Sequence, residues 1–294
     1  MPLFLKKRGG KEKSPLSGIE PKIKKGYYFM ERKLGLQLYS LRQFSEKDFV
    51  SVLNFAAEVG FKTVEPAGFF DLSPVELKKI LNDLGLEMPT SHTPWVRPEN
   101  ISESIDLACE LGLKYVVCGF GPDDFKDLDA IRRCADFVNS AVEKTASAGL
   151  TLFQHNHYWE FERLDGELKY DIYAKMVPGV KFQLDAFWSS NFGANDPAEM
   201  VARYADRIVS LHIKDGTFEQ DPAKVEIVNG YPDRKLKLFP LGEGQMDIPS
   251  IIAAAPANVD NVIVELDYCE VEMKEALRRS YAYMTSNGFA AGNR

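Results

Sequence analysis

The sequence predicts an α/β protein built as a single (β/α)8 barrel, or TIM barrel, preceded by an N-terminal tail. From residue 34 to residue 289, short apolar runs of strand length alternate with longer amphipathic segments of helix length. Eight strands that alternate with helices in this way are typical of a closed parallel barrel. The first strand leads into residues 39–42 (YSLR), which lack the glycine-rich turn of a dinucleotide-binding sheet. We therefore expect a barrel without an NAD site.

Glycines and prolines divide the chain between these elements. Four of the predicted helices are followed directly by a glycine, the residue preferred after a helix. A longer glycine- and proline-rich break at 216–246 follows the seventh strand, and its length predicts a lid or substrate loop. The predicted helices cover residues 47–59, 74–84, 101–111, 128–148 and 270–284. The predicted strands cover residues 34–40, 62–67, 86–92, 114–119, 150–157, 180–187, 208–215 and 261–267.

Residues 1–33 differ from the rest of the chain in charge. They contain ten Lys and Arg residues and three Glu residues, so we interpret them as a basic tail or an accessory strand. The apolar cluster at 3–5 is shorter than the 7–15-residue core of a secretion signal. The predicted organisation is thus a tail at 1–33 and one barrel domain at 34–289.

The composition excludes several classes of function. The net charge of −7 argues against binding to nucleic acid, which requires a basic surface. No apolar stretch approaches the roughly 20 residues that span a bilayer, so we expect no membrane insertion. The four cysteines lack a CxxC spacing and fall in apolar segments, which predicts buried free thiols and a cytoplasmic location. A small molecule is the expected partner.

All four histidines lie at the ends of predicted strands, together with several carboxylates. The carboxyl ends of barrel strands meet at one face, where TIM-barrel enzymes hold their active sites. A mixture of imidazole and carboxylate side chains converging from different strands is typical of a divalent-metal site. The alternation of side chains along the strands selects four candidate metal ligands: His155, Asp185, His212 and Glu265.

Five short motifs carry a resemblance to a known family. They are residues 36–40 (LQLYS), 154–161 (QHNHYWEF), 184–185 (LD), 211–216 (LHIKDG) and 241–244 (LGEG). From about residue 34 to 286 the chain resembles the sugar phosphate isomerase/epimerase branch of the xylose-isomerase-like TIM-barrel superfamily. The resemblance implies one divalent ion, most often manganese, with zinc, magnesium and cobalt as alternatives. Asp185, His212 and Glu265 match the family's ligand positions, whereas His155 stands where the epimerases have a glutamate.

The resemblance implies a metal-dependent isomerase or epimerase that acts on a sugar or keto-sugar. Its reaction would be proton abstraction next to a carbonyl through a metal-bound enediolate. Glu265 is the candidate base, Lys214 the candidate for stabilising the enediolate oxygen, and His157 and His92 are candidates for a second acid or base.

Other activities stay open at this point. A dehydratase of a keto-sugar or of a cyclitol such as an inosose is the alternative, if the second group protonates a departing hydroxyl. A non-catalytic sugar-binding barrel is a further alternative, because the strand-five glutamate is replaced. A repair nuclease related to endonuclease IV needs more histidine ligands and a basic surface, so four histidines and an acidic barrel argue against it.

Further residues near strand ends are candidates for contacts to a carbohydrate. Aromatic rings can stack on the apolar face of a sugar, and Glu65 could either bind a hydroxyl or orient a histidine. Gly242 and Gly244 offer N–H groups to an anion, but no P-loop is present, so we expect an unphosphorylated sugar, keto-sugar or cyclitol. The superfamily implies a homo-oligomer. The candidate substrate-binding residues are Tyr39, Glu65, Trp95, Glu160 and Trp188.

Overall fold

The computed structural model describes residues 32–228 and 231–294. The tail predicted at 1–33 lies outside these residues except for its last two, and Lys33 is already the first residue of a strand. The other end of the chain lies beside it, because the Leu34 N–H donates to the Ala291 carbonyl at 2.8 Å. The described chain therefore begins and ends at the same strand of the barrel.

A curved parallel sheet with helices around it confirms the predicted α/β TIM barrel. The α-helices are α1 (Arg42–Ser45), α2 (Phe49–Val59), α3 (Pro74–Leu84), α4 (Ile101–Leu111), α5 (Leu128–Ser147), α6 (Lys169–Met176), α7 (Ala186–Ser189), α8 (Pro197–Arg203), α9 (Ile248–Ala254) and α10 (Met273–Ser286). The strands are β1 (Lys33–Gln37), β2 (Thr63–Glu65), β3 (Tyr115–Cys118), β4 (Thr151–His155), β5 (Arg163–Leu164), β6 (Glu167–Leu168), β7 (Lys181–Asp185), β8 (Ile208–Ile213), β9 (Asp215–Thr217), β10 (Glu226–Val228), β11 (Tyr231–Asp233), β12 (Lys237–Phe239) and β13 (Asn261–Val264).

Seven of these strands form the barrel wall in the order β2-β1-β13-β8-β7-β4-β3, with every neighbouring pair parallel. Strand β1 pairs with both β2 and β13, so the first and last barrel strands are adjacent. The register sets Asp185 beside His212 and Ile263 beside the same histidine on the other side. Because the strands share one direction, their carboxyl ends, which carry the candidate site, lie at one face.

The predicted third strand, 86–92, is wrong as an extended strand. It makes a single β-bridge, between Glu87 and Thr63, and Pro89 two residues later has no N–H with which to continue a ladder. The segment still occupies the gap between β2 and β3. The His92 N–H donates to the Pro66 carbonyl at 2.8 Å, and this irregular segment places His92 at the barrel mouth.

The five predicted helices appear as α2, α3, α4, α5 and α10, with ends that differ by up to three residues. Their boundaries follow local side-chain chemistry. At α3 the Ser73 side chain and Glu76 cap each other's backbone, and Gly85 ends the helix in the left-handed region at φ 67°. The sequence patterns missed α6, α8 and α9, which have only eight, seven and seven residues.

The cysteines are free, but their predicted burial is only partly correct. Cys118 and Cys134 are buried, Cys269 is half-buried, and Cys109 is exposed. Cys109 lies on the outer, solvent-facing side of the amphipathic helix α4, whose inner side buries Ala108 and Leu111. None of the helices in the described ranges is long and apolar enough to cross a membrane.

Candidate active site

The carboxyl ends of the barrel strands surround a cavity of about 270 Å³, which we call the central cavity. Side chains that follow five of the wall strands, and others that follow the irregular segment at 86–92, reach it. Four of the candidate catalytic residues are among those that line it. The lining residues are Tyr39, Ala67, His92, Trp95, His155, His157, Lys214, Glu265 and Asp267.

The four candidate metal ligands come together at the base of this cavity. One ligand atom from each of His155, Asp185, His212 and Glu265 lies within 4.8 Å of the others, and all four side chains are buried. They come from β4, β7, β8 and the residue after β13, which are consecutive strands of the wall. Two imidazole nitrogens and two carboxylate oxygens at this separation fit a single ion such as Mn²⁺ or Zn²⁺.

Asp185 is held in place from both sides by neighbouring loops. The Asn156 side chain accepts from the Asp185 N–H at 2.9 Å and donates to the Asp185 carbonyl at 3.2 Å. The Trp188 N–H donates to Asp185 Oδ1 at 2.9 Å, whereas Oδ2 is buried and lies 3.0 Å from the Lys214 ammonium. Burial raises the pKa of this carboxyl to about 6. A buried carboxylate oxygen that already faces a cation is suited to a metal ion.

His212 is hydrogen-bonded at both ring nitrogens. Nδ1 lies 2.7 Å from Glu265 Oε2, and Nε2 lies 2.7 Å from Glu65 Oε1. Burial alone would lower the pKa of His212, but the charges of Glu65 and Glu265 outweigh it and raise this pKa to about 10. A carboxylate behind a ligating histidine fixes the orientation of the ring, and Glu65 lies where this second carboxylate is needed.

Glu65 lies beneath the central cavity and does not line it. Its carboxylate accepts from Gln37 Nε2 at 2.6 Å and from Gln183 Nε2 at 2.7 Å, in addition to its contact with His212. Burial alone would raise the pKa of Glu65, but the nearby histidines, led by His92, lower it to about 2. The predicted alternative, orienting a histidine, matches this geometry, and the predicted contact to a substrate hydroxyl stays a prediction.

Gln183 connects Glu65 to two more histidines. Its carbonyl oxygen lies 2.7 Å from His92 Nε2 and 3.0 Å from His155 Nδ1. One amide therefore sets the orientation of both rings through a single atom. We call this hydrogen-bonded group the lower network, which consists of Gln37, Glu65, His92 and Gln183.

Lys214 lies above this network, among three carboxylates. Its ammonium is 3.0 Å from Asp185 Oδ2, 2.8 Å from Glu265 Oε2 and 3.0 Å from Asp267 Oδ2. The ammonium also lies 5.4 Å from the centre of the Trp188 ring. Burial alone would lower the pKa of Lys214, but the three carboxylates raise it well above its usual value. We call this group the upper cluster, which consists of Asp185, Lys214, Glu265 and Asp267.

His157 lines the cavity, and Glu160 holds it from behind. The His157 ring stacks on Trp159 with centres 4.4 Å apart, and its Nδ1 is buried without a hydrogen-bond partner. Burial, together with the charge of Lys214, lowers the pKa of His157 to about 3, so the imidazole is neutral. Glu160 is fully buried outside the cavity and accepts from the His157 N–H at 2.9 Å. This loop turns the Glu160 carboxylate inward, and the predicted substrate contact of Glu160 stays a prediction.

Trp95 forms one wall of the central cavity. Its ring meets those of His92 and His155 edge-on, with centres 5.1 Å and 6.0 Å apart. The ring lies so close to Gly119 that a Cβ there would be 1.7 Å from its Cζ3 atom. A glycine at 119 is therefore needed for Trp95 to reach the cavity.

The other two predicted aromatic contacts differ from Trp95. Tyr39 lies at the mouth with 41% of its surface exposed, under the Arg42 guanidinium at 4.3 Å. Trp188 does not line the cavity. It packs on Tyr158 and Phe187, and the Lys214 ammonium lies over its ring. Its contact to substrate stays a prediction.

The glycine motif at 241–244 binds an anion within the chain. The buried Asp215 carboxylate accepts from the N–H groups of Gly216, Gly242, Gly244 and Met246 at 2.8–3.1 Å. This ties both ends of the predicted lid segment to the end of β8, and β9 pairs with β12 within it. A Cβ at Gly244 would lie 2.1 Å from Asp215 Oδ1. The motif therefore serves the carboxylate rather than a substrate phosphate.

The sequence reasoning did not identify several residues that support the site. The amides of Gln37, Asn156 and Gln183 orient the carboxylates and histidines, and Asp215 fixes the long segment. Gln183 had a usable signal, because it precedes Asp185 by two residues and faces the same side of β7.

With this geometry established, the family can be assigned. The sequence model of the xylose isomerase-like TIM barrel family matches residues 53–286. The chain belongs to this family. Its members are sugar-processing enzymes that include isomerases, epimerases and dehydratases.

Individual relatives agree with this assignment. The chain is 23% identical to an inosose dehydratase of Geobacillus kaustophilus, over 79% of this chain and 82% of that protein. It is 26% identical to a sugar phosphate isomerase/epimerase from Parabacteroides distasonis, with a TM-score of 0.69 and coverage of 89% and 96%. A structure of the IolI protein with a binding zinc atom matches in fold, with a TM-score of 0.65 at 18% identity, covering 87% of this chain and 98% of that one.

Proposed function

We propose that the protein is a divalent-metal-dependent isomerase or epimerase of a sugar or keto-sugar. One observation carries the proposal: His155, Asp185, His212 and Glu265 converge at the base of a cavity that Lys214 also lines. This arrangement places the candidate cation site next to the candidate catalytic residues Glu265 and Lys214 in one small cavity. A carbohydrate is the proposed substrate, and the free cysteines support a reducing, cytoplasmic location.

A single divalent ion would be held by these four side chains. The mixed set of nitrogen and oxygen donors supports this assignment. Such a set suits manganese, zinc or cobalt, and magnesium less well because magnesium prefers oxygen ligands. Manganese is the proposed ion.

The proposed reaction begins with removal of a proton from a carbon next to a carbonyl. A bound divalent ion supplies a Lewis acid that polarises the carbonyl and acidifies this C–H bond. Glu265 lines the cavity and accepts the proton as general base. The Lys214 ammonium stabilises the negative charge that develops on the substrate oxygen. Burial lowers the pKa of both His157 and His92, and these imidazoles exchange a proton with the substrate's neighbouring oxygen or carbon.

A dehydratase of a keto-sugar or of a cyclitol such as an inosose is the second candidate. The observation that favours it is that both carboxylates lining the central cavity, Glu265 and Asp267, follow the same strand. Epimerisation by two carboxylates requires one on each face of the substrate. The other walls present His92, His155 and His157, and a histidine is suited to protonating a departing hydroxyl.

Metal analysis of the purified protein tests the proposal first. We expect about one ion per chain in the wild type, and loss of that ion in His155→Ala and Asp185→Ala. Asp71→Ala is the matched control, because Asp71 is exposed and is not part of the cluster. A metal-free wild type, or an unchanged metal content in both variants, would contradict the metal site.

The reaction class is then tested with a panel of keto-sugars and inososes in deuterated water. Deuterium incorporation into recovered substrate or its epimer supports proton abstraction and return. Loss of water with formation of an unsaturated product supports the dehydratase. If the metal-loaded protein incorporates deuterium into none of the sugars in the panel, a non-catalytic sugar-binding protein is favoured.

A further inference from the structure

A second cavity, of about 210 Å³, opens on the same face of the barrel beside the central one. It is formed by the loop after β1 and the loop after β13. Asp267 lines both cavities, and Tyr39 of the central cavity directly precedes Ser40 of the second. The two spaces therefore adjoin at Asp267.

The far side of the second cavity is largely apolar, and its inner edge is polar. Phe44, Val271 and Met273 line it, together with Tyr268, which keeps 40% of its surface exposed. A flat apolar surface next to a few fixed polar groups is typical of a site for a ring-shaped ligand.

The polar edge is rigid and faces the central cavity. Arg42 donates to the Tyr39 carbonyl at 3.1 Å, and its guanidinium lies over the Tyr39 ring. Asp267, the other polar residue at the junction, is paired with Lys214 at 3.0 Å and is 29% exposed. A ligand that spans the two cavities would therefore meet one hydrogen-bond donor, the Arg42 guanidinium, and one acceptor, the Asp267 carboxylate.

These groups favour a neutral ring over a phosphate. A phosphate site collects several N–H donors or cations around one anion. Here a single guanidinium is engaged with Tyr39, and the Asp267 carboxylate lies at the same junction. A ring with an apolar face and hydroxyl groups at its edge matches this lining, whereas a second anionic group would meet Asp267.

The volumes support the same conclusion. At about 270 Å³ the central cavity is smaller than the roughly 300–1,000 Å³ of common small-molecule sites. Together with the adjoining 210 Å³ the opening falls within that range. The space is sufficient for two linked rings rather than one.

We propose that the second cavity is a subsite for the second ring of a disaccharide or glycoside, whose first ring reacts in the central cavity. The inference rests on the proposed function, since it assumes a sugar in the central cavity, and it narrows the substrate class to glycosidically linked sugars. Asp267 and Arg42 then lie beside the linkage between the rings. Neither residue was among the candidates for substrate binding.

Calorimetric titration of the metal-supplemented protein tests the subsite. The probes are cellobiose, maltose and lactose, each compared with D-glucose and D-galactose. We expect at least one disaccharide to bind tenfold or more tightly than its component monosaccharides. Val271→Trp fills the second cavity and should remove that gain while changing monosaccharide affinity less than twofold.

Val75→Trp is the matched control, because Val75 is 69% exposed on α3 and lines neither cavity. Met273→Trp obstructs the same cavity from another side and replaces Val271→Trp if that variant does not fold. Equal binding of disaccharides and monosaccharides, no binding of either class, or a disaccharide gain that survives both obstructing variants would overturn the subsite. In each of these cases the proposed function stands if the wild type still binds metal and still catalyses deuterium exchange. A wild type that binds no metal and is inactive would instead refute the proposed function itself.

Discussion

The lower network and the upper cluster use similar side chains in opposite ways. In the lower network one carboxylate, Glu65, is surrounded by donors, and both of its oxygens are hydrogen-bonded. In the upper cluster three carboxylates share one ammonium, which lies 2.8–3.0 Å from one oxygen of each.

The lower network and the upper cluster therefore serve different purposes, although they lie within a few ångströms of each other. A fully hydrogen-bonded buried group contributes a fixed geometry, and breaking it leaves its partners unsatisfied. Three carboxylates that share one ammonium carry an excess of negative charge, which suits an additional cation. Substitutions in the lower network should therefore change mainly the free energy of unfolding, and substitutions in the upper cluster should change mainly the affinity for metal.

Glu65→Ala is expected to have the largest effect on stability. It leaves His212, Gln37 and Gln183 without their shared acceptor, and removal of one partner from a buried charged pair costs about 3–5 kcal/mol. The free energy of unfolding in urea measures this loss. Glu87→Ala, at a half-exposed position, is the control, and an equal loss in the two variants would refute the role of the lower network.

Lys214→Met is expected to separate stability from metal binding. In the absence of metal, this substitution should lower the free energy of unfolding by about 2–4 kcal/mol, because three carboxylates lose their cation. Affinity for Mn²⁺ should rise about tenfold, since one positive charge near the ion is removed, and each tenfold change equals about 1.4 kcal/mol. Calorimetric metal titration against Lys169→Met, a buried lysine paired with Glu162, distinguishes this from a general loss. Weaker metal binding in Lys214→Met would contradict it.

The alternation of side chains was sufficient to predict which residues approach one another. His155, Asp185, His212 and Glu265 lie on four consecutive strands of the wall, so parity and strand order determine their convergence. The amide partners were not predictable in the same way. Gln183 meets Glu65 across 118 residues of sequence, and a glutamine on a buried strand face shows no preference for a particular partner.

Two local features differ from what the sequence patterns indicate. The strand at 86–92 has the apolar content of a strand, but Pro89 prevents a continuous ladder. Glu160 follows two histidines and resembles a site residue in sequence. The short helical turn at Trp159–Phe161 directs it inward, and sequence alone does not fix that direction.

Gly244→Ala tests a third buried carboxylate, Asp215, which is satisfied entirely by backbone donors. The added methyl group would collide with Asp215 Oδ1 and with the Gly216 N–H, and such overpacking costs about 1–3 kcal/mol. Thermal unfolding and faster proteolysis within 216–246 measure the effect. Gly121→Ala is the control, because its nearest contact would be an ordinary 3.8 Å. Unchanged proteolysis would contradict the anchoring role of Asp215.

Glu160→Gln gives the smallest expected effect and shows what burial does without an ion pair. Burial raises the pKa of Glu160 to about 8, in contrast to the lowered pKa of Glu65. Between about pH 4.5 and pH 8 the unfolded chain releases this proton while the folded protein keeps it, so wild-type stability falls across that window. The difference in free energy of unfolding between Glu160→Gln and wild type should therefore shift in favour of Glu160→Gln by at least about 1 kcal/mol from pH 5 to pH 9. A constant difference between the two proteins across this range, measured by urea unfolding, would contradict it.

The attachment of the long segment after β8 has a consequence for how this enzyme fold can change. Asp215 contacts only main-chain N–H groups at Gly216, Gly242, Gly244 and Met246, so its hold is independent of the side chains carried between them. Replacing the side chains between 219 and 235 would therefore leave these main-chain contacts in place, whereas Leu238 of β12 is part of the buried core. This stretch is suited to grafting new sequence when the aim is to change the substrate without altering the proposed metal site.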